Sequence, residues 1–501
     1  MKIQKLIIGT ILLLLVGCST TQHRSASIVN ANDGALVVRI LPNTLGSGQF
    51  RKHWESLTVE RLPDDINSTA SQYSLQPIVE ASSSSVIYAG SLPSGRYRFL
   101  KFPAHQCLGM CETGWVEVSS GFSRFDIKSG HLTNLGVIVQ SLSSTDGKKM
   151  MLAHGPLAGD TLSDEIVREF APGLTTLLGR PSLSWQSESV SKQMELAFEY
   201  SKLTSFSFFS PREVSDGSFI YGSANGIVYR MTPGEKPIAH DVGERKSIEA
   251  ILASSSGSWY AGGELGLLTM SDDEGKSWRS IRGNLPLGVV VDLHEWQGII
   301  IATIVRGARI YIYASPLGAD NWTALAEYQT VVGYSDPTGV RPRSFLMDDM
   351  LITGVPGRNV ASLDLNTNAY EIYPLPGPLQ MLSVSEDGVL RCRCIATMAV
   401  NPYESRDFGK TWKESSESRF LLMPTFRDRM NGVAFQSAIL SAATMAYTND
   451  GGVSWIQTTE MPVAPNEIFY SKDKTAAYLA SIYGELWISK DDGRSWQRVQ
   501  R

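Results

Sequence analysis

The sequence predicts an all-β protein: a seven-bladed β-propeller over residues 203–501, preceded by a small β-sandwich over 35–144 and a short helical connector over 145–202. Two observations carry this expectation. The C-terminal three-fifths repeats with a period of about 45 residues, each unit holding four short hydrophobic stretches, which is what a propeller blade requires. The region before it is cut by Gly, Ser, Pro and Asn into short runs rich in β-branched and aromatic residues, as a sandwich would be.

The N-terminus comes first in chain order. Lys2 and Lys5 form a basic head, and Leu6 to Val16 is an apolar run too short to span a bilayer comfortably, so residues 1–17 read as a signal peptide. The run ends in Leu15-Val16-Gly17-Cys18, which resembles a bacterial lipobox. The alternative is an ordinary signal peptide with an incidental cysteine. The resemblance implies cleavage before Cys18 and acylation of its thiol and new N-terminus, with several acyl chains giving lasting attachment to the lipid membrane. Ser19 follows the cysteine, and by resemblance to Gram-negative sorting this favours the outer membrane, facing the periplasm or the cell surface. Residues 18–34 are polar and read as a lipidated, flexible tether. No further run approaches spanning length, so a tethered protein is expected.

The sandwich is read from ALVVRIL, SLTVERL, SVIYAG, RYRFLKF, GWVEV, SRFDI and NLGVIVQ. Leu92-Pro93-Ser94-Gly95 ahead of Arg96 to Phe99, with Phe125 to Gly130 and Asn134-Leu135-Gly136, resembles prealbumin-like accessory domains over about 50 residues. That resemblance implies a turn leading into an edge strand. Thr161 to Asp164 offers capping residues ahead of EIVREF, and SESVSKQMELAFEYSKL suggests a second helix. This connector is expected to pack on the propeller.

At 43% hydrophobic and 19% charged residues the chain is globular in composition, and a formal charge of −5 argues against nucleic acid as a partner. After Cys18 four cysteines remain, at 107, 111, 392 and 394. Three pairings are open in an oxidising compartment; the close spacings suggest local bridges, with Cys107–Cys111 pinning a loop and Cys392–Cys394 strained on a strand. His105 beside the first pair leaves zinc as a minor alternative; no metal or other cofactor is expected.

Four segments match S/T-x-D-x-G-x-S/T-W: Ser271 to Trp278, Ser405 to Trp412, Thr448 to Trp455 and Ser489 to Trp496. A degenerate copy ends at Trp322, Tyr370 occupies the next expected place, and one eroded unit fits upstream. The copies therefore end at 278, 322, 370, 412, 455 and 496, steps of 41 to 48 residues. The motif resembles the Asp-box (BNR) propellers. In it a carboxylate and a hydroxyl fold onto turn amides, glycine supplies positive φ, and tryptophan packs beside the sheet. Asp273, Gly275 and Trp278, Asp407, Gly409 and Trp412, Asp450, Gly452 and Trp455, and Asp492, Gly493 and Trp496 are accordingly read as structural. The resemblance places these boxes between third and fourth strands, opposite the binding face. Asp-Asp-Glu-Gly at 272–275 lacks the later acidic ligands of a calcium loop.

The binding face should carry the loops between second and third strands. There the sequence offers Asn225-Gly226, Gly263-Glu264, Arg306 to Arg309, Gly357 to Asn359, Arg391 to Arg393 and Tyr483 to Glu485. Arg306, Arg309, Arg358, Arg391 and Arg393 form a candidate anion-facing patch, since guanidinium forks suit carboxylate or phosphate; solvated loop arginines are the plain alternative. Some Asp-box propellers are sialidases or other glycosidases. The Arg-Ile-Pro motif of a sialidase's first blade is replaced here by Pro211-Arg212-Glu213, and Glu264 and Glu485 are the only obvious acids for a glycosidase. No GxSxG, HExxH or phosphate-loop motif occurs, and no catalytic residue is assigned. The plan also resembles the Ycf48-like photosystem II assembly factors, lipoprotein propellers with an arginine patch for protein partners. This chain adds an N-terminal β-domain. The expectation is a non-catalytic binding or assembly propeller for an envelope protein or anionic ligand; the alternative is a sialidase-type glycoside hydrolase.

Overall fold

The computed structural model describes residues 22–183 and 211–499, apart from stretches at 25, 43–52, 55, 64–69, 79, 82–84, 109, 119–123, 143–148, 155–162, 224, 233–234, 331–341, 385–387, 397–398, 416–420, 439–440, 461–464 and 482–485. The expected signal peptide, Cys18, the expected second helix of the connector and Tyr483 to Glu485 lie outside the described residues. The chain divides into two compact units. The second takes in Val79–Ser85 together with Tyr200–Arg501.

In the first unit twelve strands share one hydrogen-bonded sheet. Asp33–Pro42 pairs antiparallel with Val86–Pro93 and parallel with Leu132–Leu142. Alternate residues of these strands, among them Leu36, Val38, Ile40 and Tyr88, meet Tyr97 and Phe125 in one apolar cluster. The turn at Pro93-Ser94-Gly95 is held by Tyr97, whose hydroxyl donates to the Pro93 carbonyl at 2.7 Å. The strand after it, Gly95–Leu108, is not the edge the prealbumin resemblance implied. Its first residues pair on one side with Leu57–Arg61 and on the other with Arg124–Ile127. The backbone register sets Cys107 opposite Cys111 across a hairpin; their side chains lie outside the described residues.

The stretch expected as a helical connector begins with a strand. Lys149–His154 pairs with Ile138 to Leu142 and with Glu117 and Val118. The helix Asp164–Phe170 follows, capped by Ser163, whose side chain accepts from the Ile166 amide. Leu183 bonds back to Leu132 and Asn134 through main-chain hydrogen bonds. From Lys149 to Leu183 the described chain therefore belongs to the first unit.

The second unit is built of four-stranded antiparallel sheets, consistent with a propeller. Seven are found among the described residues, each in simple up-and-down order. Their first strands are Arg212–Glu213, Ile248–Ala253, Val289–Trp296, Ser344–Met347, Leu379–Val384, Leu421–Phe426 and Pro465–Tyr470. Successive sheets share apolar clusters, the first with the second around Ile220 and Trp259, the third with the fourth around Val291 and Leu351. The first also packs on the seventh through Phe219, Tyr221, Tyr478 and Leu486, so the succession closes on itself. In five first strands the register slips at a β-bulge, which re-aims the side chains beyond it.

Candidate functional site

Each complete box joins the third and fourth strands of its sheet and repeats one hydrogen-bond pattern. In the second sheet Ser271 Oγ donates to Asp273 at 2.8 Å and accepts from the Gly275 amide at 2.8 Å. The Asp273 carboxylate accepts from the Ser277 amide at 2.8 Å and hydroxyl at 2.6 Å. Ser405, Asp407, Gly409 and Thr411 repeat this in the fifth sheet, and Thr448, Asp450, Gly452 and Ser454 in the sixth. The hydroxyl and amide of Ser277, then Ser271, hold the Asp273 carboxyl at about 2; Ser454 and Thr448 do the same for Asp450.

The fourth box corrects the sequence reading. Its carboxylate is Asp491, which accepts from Ser489 and from both groups of Ser495, while Asp492 sits in a left-handed conformation and pairs with Arg427 at 2.5 Å. Trp278, Trp455 and Trp496 each donate the indole N–H to the carbonyl of the box glycine, at 3.0, 3.1 and 3.2 Å. The box glycines at 275, 409, 452 and 493 all have positive φ, and a Cβ on Gly493 would lie 2.5 Å from Val433 of the preceding sheet. The degenerate copy holds itself differently, with Trp322 donating to the Ile281 carbonyl.

The arginines separate into two groups. Arg306 and Arg309 stand directly opposite each other across the two-residue turn Gly307-Ala308, between second and third strands of the third sheet. Arg309 is exposed and reaches Glu327 at 2.8 Å. Arg358 is exposed in the corresponding turn of the fourth sheet, ahead of Asn359–Asp364. Arg391 and Arg393 do not join them. Both lie within the strand Leu390–Ala396, where Arg393 is buried and Arg391 stacks over Phe426 of the sixth sheet at 4.4 Å, 3.6 Å from Glu404. Alternation turns Cys392 and Cys394 to the opposite, apolar face, where they are bonded to each other, their Cα atoms 5.9 Å apart.

Glu264 is likewise not a free acid on the loop face. It is fully buried and accepts from the Ser247 amide at 2.9 Å and from the amide and hydroxyl of Ser85 at 3.1 and 2.9 Å. Ser85 belongs to the same compact unit. Beside it the Leu265 and Gly307 amides donate to the carbonyls of Ala81 and Glu80, both at 2.8 Å.

A second constellation, missed in the sequence, gathers on the first strands. Arg343, just ahead of the fourth sheet, lies 3.5 Å from Asp292 of the third and 3.9 Å from Glu467 of the seventh. Sheets so far apart in order meet only where first strands converge on a common centre. Arg212 of the first sheet lies in the same field: burial pulls its pKa down, Arg343 adds to that, and Glu467 and Asp292 oppose it. Asp292 accepts from the Ser344 amide at 2.8 Å, and His294 Nε2 lies 3.0 Å from the Ser344 carbonyl and 3.1 Å from its hydroxyl. Burial pushes His294 down to about 4, against Asp292 and with Arg212, so the ring is neutral at physiological pH. The available signal was charge inside an apolar first strand, as in VVVDLHEW. Among the described residues no group of three or more His, Cys, Asp or Glu could hold a metal ion.

No protein-family model matches the chain, and no curated protein does. Among solved structures it is similar to one described as YCF48 bound to D1 peptide, at 16% identity and TM-score 0.43, over 55% of this chain and 90% of that one. It is similar to YCF48 from Cyanidioschyzon merolae at 15% identity and TM-score 0.42, over 56% and 93%. The WD40 propeller domain of Doa1 gives 11% and 0.40, over 58% and 93%. These are likenesses of fold alone, too slight to assign any residue a role.

Proposed function

We propose that this protein is a non-catalytic binding or assembly module: a seven-bladed propeller following a small β-sandwich, tethered to the outer membrane through acylated Cys18. Its partner is an envelope protein that presents an anionic surface to Arg306, Arg309 and Arg358. One observation carries the reading. Arg306 and Arg309 are directly cross-strand, a placement in which like charges repel and cost stability. Glu327 already answers Arg309 at 2.8 Å, and an anionic partner would offset what repulsion remains, with Arg358 in the neighbouring turn. Of the two acids that a hydrolytic reading would enlist, Glu264 is engaged with Ser247 and Ser85.

The test is capture of partners from detergent-solubilised envelope by the intact protein and by an Arg309→Glu, Arg358→Glu variant. The expected result is a specific protein whose capture falls in the variant and weakens as salt rises, because exposed charges are screened over about 8–10 Å at ordinary ionic strength. Both substitutions sit in exposed turns and should leave the melting temperature nearly unchanged. Capture that survives both reversals and high salt would leave these arginines as ordinary solvated residues.

A further inference from the structure

We infer that Glu80 is a resident carboxylate on the Arg306–Arg309 turn, a specificity-determining residue against which an anionic partner must compete. The inference rests on the reading of these arginines as a partner site and concerns what sets access to it. Glu80 belongs to the same compact unit as both arginines. Its carbonyl accepts from the Gly307 amide at 2.8 Å, and Gly307 directly follows Arg306 in the turn. A methyl group added at Gly307 would touch the Glu80 Cγ at 4.0 Å, so the stem of the side chain lies over the turn. The residue is exposed, so an arriving partner meets it.

Glu80 is held there by its neighbours. The Ala81 carbonyl accepts from the Leu265 amide at 2.8 Å, and both residues are buried. Leu265 aims that amide from a left-handed conformation, φ 53°, which a residue with a side chain keeps only where its surroundings over-determine it. Ser85 completes the hold by donating its amide and hydroxyl to Oε2 of buried Glu264, whose Oε1 accepts from the Ser247 amide. None of these bonds uses the Glu80 side chain. The backbone fixes the residue, and its carboxylate is left to act on the turn.

The consequence is electrostatic. Exposed charges act over about 8–10 Å at ordinary ionic strength, a span that takes in a two-residue turn. A carboxylate placed there offsets part of the repulsion between the cross-strand arginines, and by the same field it opposes an incoming anion. Glu327 already meets Arg309 from the adjacent strand, so Glu80 brings a second negative charge to the turn. A weakly anionic surface then gains little by docking, whereas one dense in carboxylates still gains. A built-in repulsive element of this kind is a means of rejecting wrong partners.

The experiment follows fluorescence anisotropy of labelled hexaglutamate, titrated with the full chain at low ionic strength. Glu80→Gln keeps the size of the side chain and the carbonyl bond to Gly307 and removes only the charge. Glu235→Gln makes the same change at an exposed site between third and fourth strands of the first sheet, the end opposite the second-to-third turns. Glu80→Gln should bind the probe about threefold tighter than the unaltered protein, with the difference vanishing at high salt and Glu235→Gln leaving binding unchanged. Arg309→Glu should weaken binding. Weakening by Arg309→Glu without tightening by Glu80→Gln overturns the inference and leaves the partner site standing. Binding indifferent to Arg309→Glu, or absent in every form, removes the partner site and the inference with it. Equal tightening by Glu235→Gln would assign the effect to net charge and overturn the inference as well.

Discussion

His294 ties the centre of the second unit to pH. Burial holds its ring at about 4 in the fold, against an ordinary value of 6.5. Between those limits the unfolded chain takes up a proton that the fold refuses, so stability falls as pH drops from 6.5 towards 4 and stops falling, on this group's account, below that. Replacing it removes the linkage. His294→Gln should flatten the dependence of melting temperature on pH across this window, whatever it does to stability at neutral pH; a slope equal to that of the unaltered protein would tell against the assignment. Single residues were also where the sequence was hardest to read. Asp491 and Asp492 are adjacent carboxylates, and the motif's own spacing, two residues after Ser489 and two before Gly493, selects Asp491 over the Asp492 that the sequence reading took. Arg212 and Arg343 belong to one group only through the convergence of sheets remote in the chain, which no local pattern encodes.

At the scale of an element the boxes were the most legible feature, because hydroxyl, carboxylate, glycine and tryptophan occur at fixed offsets that the turn itself demands. Within a box the tryptophan and glycine should outweigh the carboxylate. Trp496 is buried and its N–H is satisfied, so Trp496→Ala should cost about 3–5 kcal/mol, as large-to-small core changes do. Gly493→Ala meets both a positive φ and Val433. Asp450→Asn keeps an acceptor in place and should lower the melting temperature least of the three, which thermal unfolding of the series would check. The reverse order would mean that the carboxylates hold the turns and the rings merely decorate them. Strand boundaries were less legible. Arg391-Cys392-Arg393-Cys394 alternates as a strand does, yet arginine suggests a loop tip. Both faces of a strand between packed sheets are covered, so polarity alone does not place it, and here Phe426 and Glu404 give Arg391 company inside the stack. The strand Lys149–His154 escaped for a related reason: its pairing depends on neighbours at Ile138 to Leu142 and Glu117 to Val118, and nothing in KMMLAH declares them.

For the whole molecule, the closure of the last sheet on the first fixes the repeat as one cooperative body. Phe219 packs on Tyr478 with ring centroids 4.5 Å apart, so sequence positions more than 250 residues distant share a seam. The proposed role on an envelope partner requires retention beside it, and retention is what the Leu15-Val16-Gly17-Cys18 segment is proposed to supply. The energetics ask for more than one chain. Burying a methylene gives about 0.8 kcal/mol, and a single acyl group of ordinary length holds a protein only marginally and reversibly. Several chains on one cysteine would give stable anchoring. Cys18→Ala removes the thiol that would carry them and leaves the rest of the sequence intact. The expected outcome is complete loss of palmitate labelling, with the protein either accumulating in its longer, unprocessed form or appearing in the soluble fraction after the envelope is washed. The purified variant should melt as the unaltered protein does, since position 18 precedes the first described strand, Gln22–Arg24. Undiminished labelling in Cys18→Ala would rule out the lipid anchor, and a membrane-retained but unlabelled protein would point instead to attachment through a partner.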